Sequence, residues 1–189
     1  MNNTMNTLRF ACLLTVQCAT TVGATTILPA DLGDLARDAR VVARGRVTAV
    51  ESHWTENRRG IETLVTLEVE TYLKGELGAT LQFRVPGGRL GRFRSVTVGA
   101  PQFAAGRRVI VFLGARGPSV LHVLGLSQGV FRVTDDRGGS IVTPPPVDPA
   151  TAAGAPPGGV RISRGDPTRI PVPLADFERR VRALVATPQ

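Results

Sequence analysis

From residue 40 onward, apolar and polar side chains alternate with a period of two across three successive segments. Over residues 40–51, Val41, Ala43, Gly45, Val47 and Ala49 fall on one face, with Arg44, Arg46 and Thr48 on the other. Over 62–73, Val65, Leu67, Val69, Thr71 and Leu73 alternate with Thr66, Glu68, Glu70 and Tyr72. Over 80–85, Leu81, Phe83 and Val85 alternate with Gln82 and Arg84. This pattern predicts half-buried β-strands, because successive side chains of an extended chain point to opposite faces. Pairing the first two strands with Val47 opposite Leu67 and Ala49 opposite Val65 also brings Arg46 to Glu68 and Arg44 to Glu70. A turn over residues 74–78 then sets Val69 opposite Phe83 and Glu68 opposite Arg84. One register satisfies the apolar and charged faces together and predicts an outer Arg46–Glu68–Arg84 ladder.

A glycine-rich loop, Pro86-Gly87-Gly88-Arg89-Leu90-Gly91-Arg92, leads to a fourth expected strand at 93–98. Residues 107–113 are apolar on both faces, as in a strand covered from two sides. Short strands follow at 120–124 and 129–134, and Asp135-Asp136-Arg137-Gly138-Gly139 makes a hairpin turn into 140–143. Residues 28–37 read as a short helix with Leu32, Leu35 and Ala36 on one face. Residues 144–172, punctuated by proline and poor in large apolar side chains, read as an extended linker. A final amphipathic helix from 173 aligns Leu174, Phe177, Val181, Leu184 and Val185, with acidic residues near its start and arginines towards its end. So short a helix is marginal alone, and it docks either on the strand domain or on another molecule.

The chain begins with a leader. Arg9 is the only charge before Asp31; an apolar stretch from Phe10 to Val16 follows, then small residues ending Val22-Gly23-Ala24. This is the layout of a secretory signal peptide cut after Ala24. Its apolar run is far short of the roughly 20 residues needed to span a membrane. Export to the periplasm or outside the cell is expected. The chain thus divides into a signal peptide (1–24), a β domain (25–143), a linker (144–172) and a C-terminal helix (173–189). Cys12 and Cys18 both leave with the leader, so the mature chain has no disulfide, thiol nucleophile or cysteine metal site.

The formal net charge is +8, and Lys74 is the single lysine among 23 basic residues. That arginine bias, with abundant Ala, Gly and Pro, fits a GC-rich genome as well as it fits selection. Together with export, it argues against nucleic acid as the partner.

Ala43-Arg44-Gly45-Arg46-Val47, the segment ending Tyr72-Leu73-Lys74-Gly75, and the run from Phe103 to Leu113 together resemble the barrel core of netrin-like domains, relatives of the tissue inhibitors of metalloproteinases. More closely they are similar to uncharacterised secreted bacterial proteins of that layout. The likeness spans residues 38–134. It implies a mainly β fold, a small OB-like Greek-key barrel with a short N-terminal helix and a C-terminal helix after the linker. Those inhibitors reach the catalytic metal through an N-terminal cysteine, which the mature chain lacks, so no inhibitory residue is carried over.

Charge supplies the sharpest local signal. No acidic residue occurs between Glu76 and Asp135, whereas eight arginines do. Arg89, Arg92 and Arg94 lie in or beside the glycine loop, and with Arg58 and Arg59 of the first hairpin they form a candidate basic face for an acidic protein or polysaccharide. A solvated face carrying genomic arginine is the competing account. The loop lacks the Gly-Lys-Ser/Thr ending of a P-loop. Trp54 reads either as a binding anchor or as a ring covering the open barrel end. His122 reads as structural, and His53 with Glu51 and Glu56 offers too few ligands for a metal. Arg164-Gly165-Asp166 is a chance tripeptide in an Arg- and Gly-rich stretch. No His-Glu-x-x-His or Ser-x-x-Lys motif occurs, and Ser127 of Leu126-Ser127-Gln128-Gly129 reads as a lone serine without a base. The expected role is a non-enzymatic binding module without a cofactor. A regulator of an extracytoplasmic protease and a cryptic hydrolase are the alternatives.

Overall fold

The structure, a computed structural model, describes residues 30–117, 120–145 and 170–186. The expected leader, most of the expected linker and the Arg164-Gly165-Asp166 tripeptide lie outside the described residues. Helix α1 (Leu32–Asp38) is followed by β1 (Val41–Trp54), β2 (Ile61–Lys74), β3 (Thr80–Pro86), β4 (Gly88–Leu90) and β5 (Phe93–Ser95). Then come β6 (Arg108–Arg116), β7 (Val120–Val123), β8 (Val130–Asp136), β9 (Gly139–Thr143), β10 (Val172–Pro173) and helix α2 (Leu174–Ala186).

Five strands close a ring in the order β1-β2-β3-β7-β6, with β6 returning to β1. All contacts in the ring are antiparallel except β3–β7, where Phe83 faces Leu121 in a short parallel pairing. The ring has the strand order of a small OB-like Greek-key barrel, the fold expected for this chain. β8, β9 and β10 extend the sheet beyond β6, while β4 and β5 form a separate hairpin.

β6 explains why its sequence is apolar on both sides. Val109, Val111 and Leu113 point into the barrel with Val41, Val47, Val65, Leu67 and Phe83. Ile110 and Phe112 point outward into a second core with Leu35, Phe131, Phe177 and Val181. α2 therefore docks on the strand domain. Its Phe177 ring lies 4.8 Å from that of Phe131. The last residues of the expected linker are also drawn in, since Val172 pairs with Val142 of β9. α1 covers the same outer core; Asp31 caps its start, and the Lys74 ammonium donates to the Ala36 and Arg37 carbonyls at its end, each at 2.8 Å.

The β1–β2 register shifts from the expected one in three places. Val47 faces Leu67 and Arg46 faces Glu68 as anticipated, but Thr48 is skipped, so Ala49 faces Thr66 and Val50 faces Val65. Glu70 is skipped as well, which puts Arg44 opposite Thr71, and Leu73 is skipped between the Ala43–Tyr72 and Val42–Lys74 pairs. These are bulges, and each reverses the in-out phase downstream. Val65 and Leu67 accordingly lie in the barrel while Leu73 lies in the outer core. Between β2 and β3 the displacement is four residues: Val65, not Val69, faces Phe83, and Leu64, not Glu68, faces Arg84. β2 outruns β3, and the connection is closed by the Tyr72 hydroxyl donating to Gly78 O at 2.7 Å. A shift of four is even, so every β3 side chain keeps its predicted face. The Arg46–Glu68–Arg84 ladder does not form. Arg84 pairs with Glu62 at 2.8 Å, and Arg46 donates to the Gly106 carbonyl.

Candidate functional site

The β1–β2 loop and the β4–β5 hairpin carry the candidate arginines, and the two are fastened to each other. In the loop, Thr55 N–H donates to Gly60 O and Arg58 N–H to Thr55 O, at 2.9 and 2.8 Å. The Asn57 carboxamide oxygen accepts from Arg59 N–H at 3.0 Å. Arg58 is held at φ 54°, a left-handed conformation that costs a non-glycine residue roughly 1–2 kcal/mol.

The hairpin is tied down by a chain of hydroxyls. Arg89 N–H donates to Ser52 Oγ, Ser52 meets Thr63 Oγ1 at 3.0 Å, and Thr63 donates to Gly87 O at 2.7 Å. Gly87 N–H donates in turn to Ile61 O. Gly88 is required here, because a Cβ at that position would lie 2.5 Å from both hydroxyl oxygens. Gly91, at φ +57°, opens the two-residue turn between Leu90 and Phe93.

Trp54 and Phe93 join the two hairpins edge to face, with centroids 5.3 Å apart. The Arg92 guanidinium carbon stands 5.0 Å from the Phe93 centroid, a cation–π contact. Trp54 is 39% exposed and Phe93 46%, and neither belongs to a core cluster. Phe103 packs against the barrel core, its centroid 5.3 Å from that of Phe83. Phe93 is not among the candidates read from the sequence; the signal for it is its place between Arg92 and Arg94 in the stretch after Gly91.

Arg58, Arg59, Arg89, Arg92 and Arg94 are all exposed, and none forms an ion pair among the described residues. Glu51 and Glu56 share the first hairpin but pair with none of them. Glu62 is committed to Arg84 and to His53 Nε2, at 2.8 and 3.1 Å. The structure splits the set by face. Cross-strand partners share a side of the ribbon, so Phe93 and Leu90 project towards Trp54 while Arg89 and Arg94, opposite each other, project from the other side.

On the far side of the barrel, Glu70 binds Arg44 and Arg108 at 3.1 and 2.9 Å, and Arg108 also reaches Asp135 at 2.8 Å. Burial opposes the charge on Glu70, but the hydrogen bond from Arg108 and the charges of Arg108, Arg44 and Arg46 overcome it and lower its pKa. Asp135 is lowered by the hydrogen bond from Ser140; desolvation opposes this, and the hydrogen bond and charge of Arg108 with the charge of Arg46 add to the lowering. These groups hold the fold together.

Read with Gly125, Ser127 completes Gly125-Leu126-Ser127-Gln128-Gly129, the spacing of a nucleophile elbow. The motif is present and the geometry is not. The segment is a 3-10 turn between two strands, and the left-handed residues are Gly125 and Leu126 rather than the serine. Among the described residues no group of three or more His, Cys, Asp or Glu side chains is placed to hold a metal ion, and no helix is long and apolar enough to cross a membrane. A shallow cleft of about 220 Å³ between β3 and β7 is lined by Arg40, Leu77, Gln82 and Leu121 among others, away from the two hairpins. Comparison with models of known protein families, with curated proteins and with solved structures finds no match.

Proposed function

We propose that this protein is an exported, non-enzymatic binding module that takes an anionic polymer, such as an acidic polysaccharide, at the corner where the two hairpins meet. The observation that carries this reading is the exposed Trp54–Phe93 pair with Arg92 over Phe93, on two hairpins whose five arginines form no ion pair among the described residues. Aromatic faces pack on the apolar faces of sugar rings, and guanidinium forks match carboxylate and ester oxyanions in geometry and charge. The hydrogen bonds that tie the loop and the hairpin limit the ordering cost of binding.

Export rests on the Arg9-led leader, and intact mass of the protein recovered from a bacterial envelope checks it by a start at Thr25. Kinship with netrin-like domains belongs to the same proposal and is supported by the closed Greek-key ring.

Retention on heparin resin tests the binding reading. The wild type is retained and released by salt, as exposed charge pairs are screened. The variant with all five arginines changed to Gln elutes at clearly lower salt with an unchanged Tm. Equal elution of the two contradicts the proposal.

A further inference from the structure

Arg89 and Arg94 are direct cross-strand partners on a two-stranded hairpin. Partners of this kind project from the same face with Cβ atoms about 5 Å apart, and like charges so placed repel. The barrel contains a second such pair, Arg46 opposite Arg108 in β1 and β6. There the repulsion is answered internally: Glu70 and Asp135 bind Arg108 at 2.9 and 2.8 Å, and Arg46 adds to the field that lowers both their pKa values. The hairpin pair has no such carboxylate among the described residues. Its backbone is held in place, since Gly88 sits under two hydroxyls, Arg89 N–H is bonded to Ser52, and Phe93 meets Trp54 edge to face.

We propose that Arg89 and Arg94 form a clamp for one tetrahedral oxyanion, a sulfate or phosphate ester, so that the polymer bound at this corner is sulfated or phosphorylated. The clamp rests on the binding reading above and narrows it. A carboxylate is planar and presents one bidentate edge: Glu70 takes Arg108 as a fork but its second arginine, Arg44, through a single bond. A tetrahedral ester group presents three free oxygens in different directions and serves two forks at once. Arg92, held over Phe93 on the other face, is left to sugar or backbone contacts of the same polymer.

The test compares dextran sulfate, dextran phosphate monoester and carboxymethyl dextran, matched in charge density and ionic strength, against the mature protein. The clamp predicts at least tenfold tighter binding of the sulfate or phosphate ester than of the carboxylate-only polymer, and whichever of the two binds more tightly identifies the ester. Arg89→Glu, which places a carboxylate opposite Arg94, abolishes that preference without lowering Tm; Arg94→Glu does the same, while Arg137→Glu on the distant β8–β9 turn leaves it intact. Equal affinity for all three polymers overturns the clamp and leaves the binding reading standing. A preference that survives both hairpin substitutions also overturns it. If no polymer binds, the binding reading fails first.

Discussion

Arg44 of β1 and Glu178 of α2, 134 residues apart, are joined by a hydrogen-bonded ion pair that ties the C-terminal helix to the barrel. Both side chains are largely withdrawn from water, at 17% and 12% exposure, and Arg44 continues to Glu70 and Thr71. Hydrogen bonds to charged groups contribute about 1.5–3 kcal/mol. Glu178→Ala is therefore expected to lower the unfolding free energy by about 1–3 kcal/mol in urea titration. Loss of nothing measurable would mean that the helix is not fastened in this way.

The apolar side of the same helix carries more. Phe177 is buried against Phe131, and Val181 is fully enclosed. Phe177→Ala removes a buried ring and is expected to cost about 3–5 kcal/mol. Leu184, 36% exposed, provides the contrast: its truncation should cost under about 1 kcal/mol. Similar losses at the two positions would contradict the packing described.

Gly45 lies beside the bulge at Glu70. A Cβ there would stand 2.2 Å from the Glu68 carbonyl oxygen and 2.9 Å from Leu67 Cγ. Neighbours of that kind cannot step aside, because one is backbone and the other is in the barrel core. Gly45→Ala should cost about 3 kcal/mol or leave the protein unfolded, which circular dichroism and thermal melting would show.

β1, β2, β3 and the inward face of β3 were legible in the sequence from alternation, and the double coverage of β6 from its apolar run. The strand expected at 93–98 ends at Ser95, and β4 and β10 lie in stretches that read as loop and linker. The bulges at Thr48, Glu70 and Leu73 were not legible. Nothing local distinguishes a skipped residue from a paired one, yet each bulge reverses the phase, as Leu73 shows by joining the outer core. The β2–β3 offset escaped for a different reason. The apolar pattern repeats every two residues, so pairings four apart bury the same side chains, and only the length of the Leu73–Thr80 connection separates them. At the candidate corner, the arginines were visible as a run without acids. Their division between two faces, and the part played by Phe93, required the hairpin turn at Gly91 to be placed.

Acid should weaken the fold through the Glu70–Arg108–Asp135 network. Glu70 and Asp135 have pKa values lowered from 4.5 and 3.8 in the folded state. The unfolded chain then binds more protons as pH falls, so the stability these groups lend is full above their unfolded values and is lost as pH drops through the folded ones. Tm is expected to decline below pH 4.5, and more shallowly in Arg108→Gln, whose starting Tm at pH 7 is lower. Parallel declines in the two proteins would remove this network as the cause.

Trp54 is the sole tryptophan in the chain, so its emission reports on the proposed corner without any label. Titrating the mature protein with heparin at several salt concentrations should give a saturable change in that emission, with an affinity that falls as salt rises. The five-arginine Gln variant should give no saturable change at the same concentrations while melting at the wild-type temperature. An emission unmoved by polymer in the wild type, or an identical titration in the variant, would contradict the assignment of this corner as the binding site.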